Sequence, residues 1–278
     1  MNYNILEKNN VKYISFNAYE ELGFIKHGFS TRIGGVSSNT YTSMNLGVKT
    51  SDNPNNIMEN TKRFCEAVGV NFNNVVISDQ VHKDQVRVVT RDDTTDDTTD
   101  DTTDKLNLTS NIKNIDALVT NQRGVPLMSY YADCVPLFFA DPVAKAVGLA
   151  HAGWRGTMLK IGNKTIAKMT EIYGTKPENV ITAIGPSIGS CCYEVNEEVI
   201  EKFNINFTDI QNFVISKGEG KYMLDLWEAN RLALKEIGVL DRNILVSKIC
   251  TGCNLQLFYS HRKEGPLTGR MASIIEIV

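Results

Sequence analysis

The chain has 278 residues, 42% hydrophobic and 22% charged, which suits a globular protein with a sizeable core and allows one large domain or two small ones. Its formal net charge of −3 gives no general reason to expect nucleic acid or an anionic membrane as partner. Six aspartates fall in one insert, Asp93–Asp104, where D-T-T-D is read three times; taking six negative charges from −3 leaves +3, a mildly basic body.

The opening M-N-Y-N-I-L-E-K-N-N is polar and carries no apolar signal core. The most hydrophobic region is interrupted by Asp133, Asp141 and Lys145, so no membrane span is expected. Six cysteines without a secretory signal point to free thiols in a reducing cytosol. Cys191 and Cys192 are adjacent, a poor arrangement for pairing with each other. A cytoplasmic protein is the expectation.

In chain order, Val11–Phe16 and Phe24–Ser30 read as strands. Ser30 to Gly47 is long, polar and glycine-rich, the composition of a functional loop as well as of an ordinary surface one. Asn53-Pro54 opens a helix, with Asn as cap and Pro in the first turn; Ile57, Phe64, Cys65 and Val68 recur at helical spacing, and Gly69 ends the pattern. Val75–Ser78 and Gln85–Thr90 read as strands flanking Asp79-Gln80-Val81-His82. The acidic insert, 92–105, cannot bury a core and is expected to be a flexible, solvated loop.

Ile115–Thr120 is another strand. The central segment, Val125–Thr157, holds two apolar strand-like runs, with Cys134 in the first and His151 closing the second. Beyond Thr157, Met158, Ile161, Thr165, Ile166, Met169 and Ile172 share one helical face up to Gly174. Val180–Ile184 reads as a strand leading into the glycine-rich Gly185–Cys192 loop. Asn196–Phe203 and Trp227–Ile237 read as helices; Ile244–Ile249, Leu257–Tyr259 and Met271–Val278 read as strands. The elements mix without the regular alternation of a doubly wound sheet or barrel, and no linker divides them. One α/β domain is the expectation.

The chain has only four histidines: His27, His82, His151 and His261. A multicopper oxidase needs on the order of ten for its copper ligands, so copper-laccase chemistry is excluded on ligand count. Three protein ligands plus water is the pattern of a catalytic zinc, and His82, Cys134 and His151 form such a set if the fold brings them together. Taken singly, each also suits a satisfied or core residue. Cys250-Thr251-Gly252-Cys253 has metal or redox spacing, but no second pair in the sequence completes a site, so incidental placement is expected. Gly153-Trp154-Arg155-Gly156 before a helix reads either as an anion cradle or as a glycine turn with a surface arginine.

The motifs H-G-F-S-T-R-I-G-G-V-S (27–37), N-L-G (45–47), D-Q-V-H (79–82), D-A-L-V-T (116–120) and A-D-C-V-P-L (132–137) match a known family in order. So do H-A-G-W-R-G-T (151–157), I-G-P-S-I-G (184–189), C-Y-E-V (192–195), S-H-R (260–262) and T-G-R-M (268–271). The chain resembles the YfiH-like, laccase-domain purine nucleoside phosphorylases over nearly its whole length. The resemblance implies an α/β (α+β) fold, a single-domain layered sandwich of mixed β-sheets flanked by helices. It implies Zn2+ held by His82, Cys134 and His151. It also implies phosphorolysis of adenosine, inosine, guanosine and S-methyl-5'-thioadenosine, together with adenosine deamination. One zinc site is expected to serve both, since zinc can activate water or orient phosphate. The expected partners are purine nucleosides and phosphate, with no nucleic acid or membrane, and the expected state is a monomer or weak homodimer.

Around that site, Arg32 and Asn45 on the first loop, with Arg155, are expected to hold phosphate or ribose. Asp133 is read either as a ligand orienter or proton acceptor, or as a residue capping backbone amides. Arg262 and Arg270 are basic residues of the last motifs that could line the pocket, and His261 reads as structural. Competing readings are a metal-free hydrolase with Cys134 as nucleophile and a histidine as base, a peptidoglycan-precursor editing enzyme, and a metal-binding interaction module.

Overall fold

In the computed structural model, the described residues are 2–94 and 112–278. The flexibility expected of the insert falls mostly outside them. Its first residues are tied down: Asp93 accepts from the Thr90 amide at 2.9 Å and pairs with Arg87 at 2.8 Å.

The chain begins with β1 (Tyr3–Lys8), β2 (Val11–Phe16), α1 (Asn17–Leu22), β3 (Ile25–Ser30), α2 (Pro54–Val68), β4 (Val76–Ile77), β5 (Val86–Val88) and β6 (Ala117–Thr120). It continues through β7 (Leu127–Tyr131), β8 (Val135–Asp141), β9 (Ala146–Ala152), α3 (Trp154–Met158), α4 (Ile161–Tyr173) and β10 (Ile181–Ile184). Last come β11 (Glu194–Asn196), α5 (Glu197–Asn206), β12 (Val214–Gly218), β13 (Lys221–Leu224), α6 (Leu226–Glu236), β14 (Ile244–Val246), α7 (His261–Glu264) and β15 (Met271–Ile277).

Two six-stranded sheets, ordered β1-β2-β3-β15-β7-β4 and β14-β10-β8-β9-β6-β5, pack face to face, and β11-β13-β12 form a third. Strand alternation sorts the apolar residues between layers. On β8, Phe138 and Ala140 join Phe16, Phe29 and Met271 between the two sheets. Val135, Leu137 and Phe139 point the other way, against Ile161 and Met169 of α4 and Ala233 of α6. On β15, Ile275 faces the second sheet, while Ala272 and Ile274 pack with Phe64 of α2. A sheet buried on both faces explains why β8 and β9 read as continuous apolar runs. Each fully buried Leu or Phe in these layers contributes roughly 1.5–3 kcal/mol.

Helix α2 forms as its sequence predicts: the Asn53 side chain accepts from the Asn55 amide at 2.9 Å, and Gly69, at φ 88°, closes the end. The helix expected beyond Thr157 is split into α3 and α4 because Lys160 sits at φ 53°, which a right-handed helix cannot absorb. The central segment holds three strands rather than two. Leu257–Tyr259, expected as a strand, is a turn in which the amides of Leu257 and Phe258 both donate to the Asn254 carbonyl. Its apolar side chains still plug the core, with Phe258 and Tyr259 fully buried, so hydrophobicity alone could not reveal its backbone. Among the described residues, no helix is long and apolar enough to cross a membrane.

Candidate metal centre

The hairpin of β8 and β9 positions two of the expected ligands. Cys134 stands one residue before β8, and the register pairs Pro136 with His151, so the thiol and the imidazole arrive at the same end. Asp116, one residue before β6, reaches the same end through the pairing of Ala117 with Ala150.

His82 comes from a loop and is held by two anchors. The Gln80 side chain donates to the Tyr130 carbonyl at 3.0 Å and accepts from the Tyr130 amide at 2.9 Å, fixing the loop to β7. The Asp116 carboxylate then accepts from three successive amides: Val81 at 3.2 Å, His82 at 2.9 Å and Lys83 at 2.9 Å. His82 is left-handed, at φ 60°, a conformation that persists in a non-glycine residue when its surroundings over-determine it. The anchored amides supply that constraint.

The same carboxylate lies 2.9 Å from Nδ1 of His151, which turns the Nε2 edge of the ring towards Cys134. The sulfur of Cys134 and one ring nitrogen each from His82 and His151 fall within 4.8 Å of one another, and the two rings stand edge to face at 4.8 Å. Burial alone would raise the Cys134 thiol, but attraction to and hydrogen bonding with His151 and His82 bring it down to about 6. Burial would lower His151, yet the neighbouring sulfur and Asp116 lift it to about 9. The pair thus favours the thiolate, the form that binds metal.

This donor set fits zinc: one thiolate and two imidazoles, one imidazole oriented by a carboxylate, in the three-ligand arrangement of an open site. Gly153 keeps the space free. A Cβ there would come within 3.1 Å of both the Cys134 sulfur and Cδ2 of His82.

The cluster opens into a cavity of about 410 Å3 whose wall includes Val48, Thr50, Gln80, Tyr130, His261 and Arg270. Of the five expected substrate-binding residues, Arg270 lines this cavity. Its guanidinium donates only to the carbonyls of Thr268 and Gly269, with no carboxylate partner among the described residues. Asn45 is fully buried behind the wall, where its Oδ1 accepts from the amides of Gly47 and Arg270 at 3.0 and 2.9 Å. Arg32 turns to Glu264 at 2.8 Å and lies over the Tyr259 ring. Arg155 stacks on Trp154, and Arg262 binds the Glu194 carbonyl at 2.8 Å beside a second cavity. The Asp133 carboxylate is taken up by Thr251 Oγ1 at 2.6 Å and the Arg262 amide at 2.7 Å, the capping alternative of its two readings.

Sequence reasoning missed Asp116 and Gln80. Both stand in matched motifs, but their partners are backbone groups about 35 and 50 positions away, which no side-chain pattern announces. It also misjudged Cys250 and Cys253: the fold brings Cys191 and Cys192 to them. His27 is a core residue. Its Nε2 accepts from the Phe16 amide at 2.7 Å, and its ring stacks on Phe16.

A layered two-sheet sandwich carrying a two-imidazole, one-thiolate cluster at the floor of a cavity defines a protein with a candidate metal centre. The chain belongs to the family described as multi-copper polyphenol oxidoreductase laccase, which residues 26–278 match. It is 36% identical over 248 residues to the purine nucleoside phosphorylase YlmD of Bacillus subtilis, covering 89% of this chain and 87% of that one. Two solved structures share the fold at TM-score 0.89 and 32% identity: YfiH of Bacillus licheniformis, over 99% of both chains, and YlmD of Geobacillus stearothermophilus, over 98% of both.

Proposed function

We propose that the chain is a zinc-dependent purine nucleoside phosphorylase acting on adenosine, inosine, guanosine and S-methyl-5'-thioadenosine, with adenosine deaminase activity. The observation that carries this reading is the convergence of His82, Cys134 and His151 at the floor of a cavity whose wall presents the uncompensated cation of Arg270. The relatives named purine nucleoside phosphorylase support the phosphorylase part of this reading. Copper chemistry of the kind in the family's description does not suit a chain with four histidines, one of them locked in the core.

His82, Cys134 and His151 would hold the ion, which when bound supplies a Lewis acid able to activate water or orient phosphate. Arg270 pairs with the phosphate dianion and holds it beside the ribose. Val48, Ala132 and Tyr130 line the part of the wall offered to the purine, and Gln80 and His261 supply polar groups at its edge. In phosphorolysis a phosphate oxygen bonds to the anomeric carbon as the bond to the purine nitrogen breaks. Asp133, Asn45 and Arg32 shape this site from behind.

A second reading has one observation in its favour: Asp116, His151 and Cys134 line up as orienter, base and thiolate, the order of a cysteine hydrolase. His82 favours the metal reading, because a second imidazole against the sulfur suits a metal site better than a nucleophilic thiolate. The test is a product assay on adenosine, with and without phosphate, on the wild type and His82→Ala. Adenine released only with phosphate, inosine released without it, and loss of both in the variant are expected. Full activity in the variant and after chelation would move the chemistry to the Cys134–His151 pair.

A further inference from the structure

Four of the remaining cysteines meet at a second place. Cys191 and Cys192 end the glycine-rich loop after β10, while Cys250 and Cys253 bracket a short 3-10 turn after β14. All four sulfurs lie within 4.8 Å of one another; Cys253 is 3.5 Å from Cys191 and 3.4 Å from Cys192. A zinc ion bonded to four thiolates at about 2.3 Å sets its sulfurs about 3.8 Å apart, so this spacing is compatible with a tetrathiolate cage. A disulfide needs about 2.05 Å between sulfurs, and a multi-iron cluster needs them spread around a wider body.

The surroundings are built for such a cage. The Gly189 amide donates to the buried Cys250 sulfur at 3.3 Å, a contact that orients a thiolate ligand. At Gly252, between the two cysteines of the turn, a Cβ would press on Cys192 at 3.2–3.3 Å and on the Lys263 stem at 3.4 Å. A glycine there lets the turn close over the adjacent pair without displacing either side chain. Lys263 also brings a positive charge beside the turn, where four thiolates around one divalent ion would leave excess negative charge.

We propose that Cys191, Cys192, Cys250 and Cys253 form a second, closed zinc site that clips the 185–193 loop to the 250–254 turn. It is structural, having four protein ligands and no open position. Its reach extends to the first centre through Thr251, which donates to Asp133 next to Cys134, while the Ile188 amide donates to the Asp133 carbonyl at 2.9 Å. The clip thus fixes, from both sides, the residue preceding a ligand of the open site.

The test is metal content per chain of protein purified in reducing buffer, for the wild type, Cys191→Ser/Cys253→Ser and His82→Ala/Cys134→Ser. Cys191 and Cys253 are exposed, so the first double change leaves the core intact. Two equivalents of zinc in the wild type, falling to one in each variant, are expected. One equivalent in the wild type that survives Cys191→Ser/Cys253→Ser overturns the site. One equivalent lost in that variant but kept in His82→Ala/Cys134→Ser supports it while removing the zinc from the proposed phosphorylase centre. Should the first variant not fold, cobalt(II) is titrated into His82→Ala/Cys134→Ser. Intense thiolate-to-metal charge transfer supports the cage, and its absence overturns it.

Discussion

Asp116 and His151 are joined twice: the carboxylate meets Nδ1 at 2.9 Å, and the His151 amide donates to the Asp116 carbonyl at 2.7 Å. One residue thereby sets both the position of the β9 end and the rotation of the ring upon it. With its three amide contacts to the 81–83 loop, Asp116 also ties His82 to His151. The two imidazoles are arranged by a single carboxylate that does not face the cavity.

Asp116→Asn should therefore weaken metal binding more than its small change in size suggests. The amide offers one acceptor where two are used, and its NH2 opposes the loop amides. Loss of such a supporting partner typically costs about 10–100-fold in affinity. Competition with a chelator of known strength measures it; affinity within threefold of the wild type would deny Asp116 this role.

Gly153→Ala isolates the space requirement. Gly153 has φ −63°, ordinary for alanine, so any effect comes from the methyl group against Cys134 and His82 at 3.1 Å. Metal affinity should drop at least about tenfold by displacement of two ligands, while thermal stability changes little. Equal losses of both would point to general misfolding instead.

For Arg270→Ala, the expected outcome is a phosphate KM raised about 10–100-fold, as when a charged hydrogen-bonding partner worth about 1.5–3 kcal/mol is removed. The nucleoside KM should move far less. Arg155→Ala is the internal comparison: its guanidinium stacks on Trp154, and it should change the phosphate requirement less than Arg270→Ala does. Steady-state kinetics with each substrate varied in turn separates them.

His27 predicts how stability depends on pH. Burial holds it neutral in the folded state, with its pKa lowered to about 3, against an ordinary value of 6.5 on unfolding. Between those values the unfolded chain binds the extra proton, so this contribution is complete above about pH 6.5 and is lost steadily as pH falls towards 3. From neutrality to about pH 5 the loss should be about 2 kcal/mol in urea unfolding, and His27→Gln should flatten the slope. An unchanged slope in the variant would assign the acid sensitivity to other groups.

Much of this arrangement can be read from the chain where the signal is local. Asn53, Pro54 and Gly69 mark α2 because capping and termination act within a few residues. The convergence of His82, Cys134 and His151 is legible because His is scarce, and scarcity narrows the search. The four-thiolate cluster is not, since Cys191 and Cys253 are neighbours only after β10 and β14 pair in parallel. Strand β1 was hidden for another reason: an edge strand with most of its side chains half or fully exposed has no buried face to impose alternation. Lys160 escaped because a left-handed lysine leaves no compositional mark.

Strand β15 lies between β3 and β7 in the first sheet, although some 240 and 140 positions separate it from them in the chain. In the folded sheet β15 fills a gap roughly 10 Å wide between them, so until it is made their facing hydrogen-bonding edges have no partner in this sheet. The ribosome has to finish Met271–Ile277 before that gap is filled, and the same insertion delivers Arg270 to the cavity. Nascent chains halted upstream would expose two sticky strand edges, making them substrates for chaperones, and would lack Arg270 beside the His82–Cys134–His151 cluster.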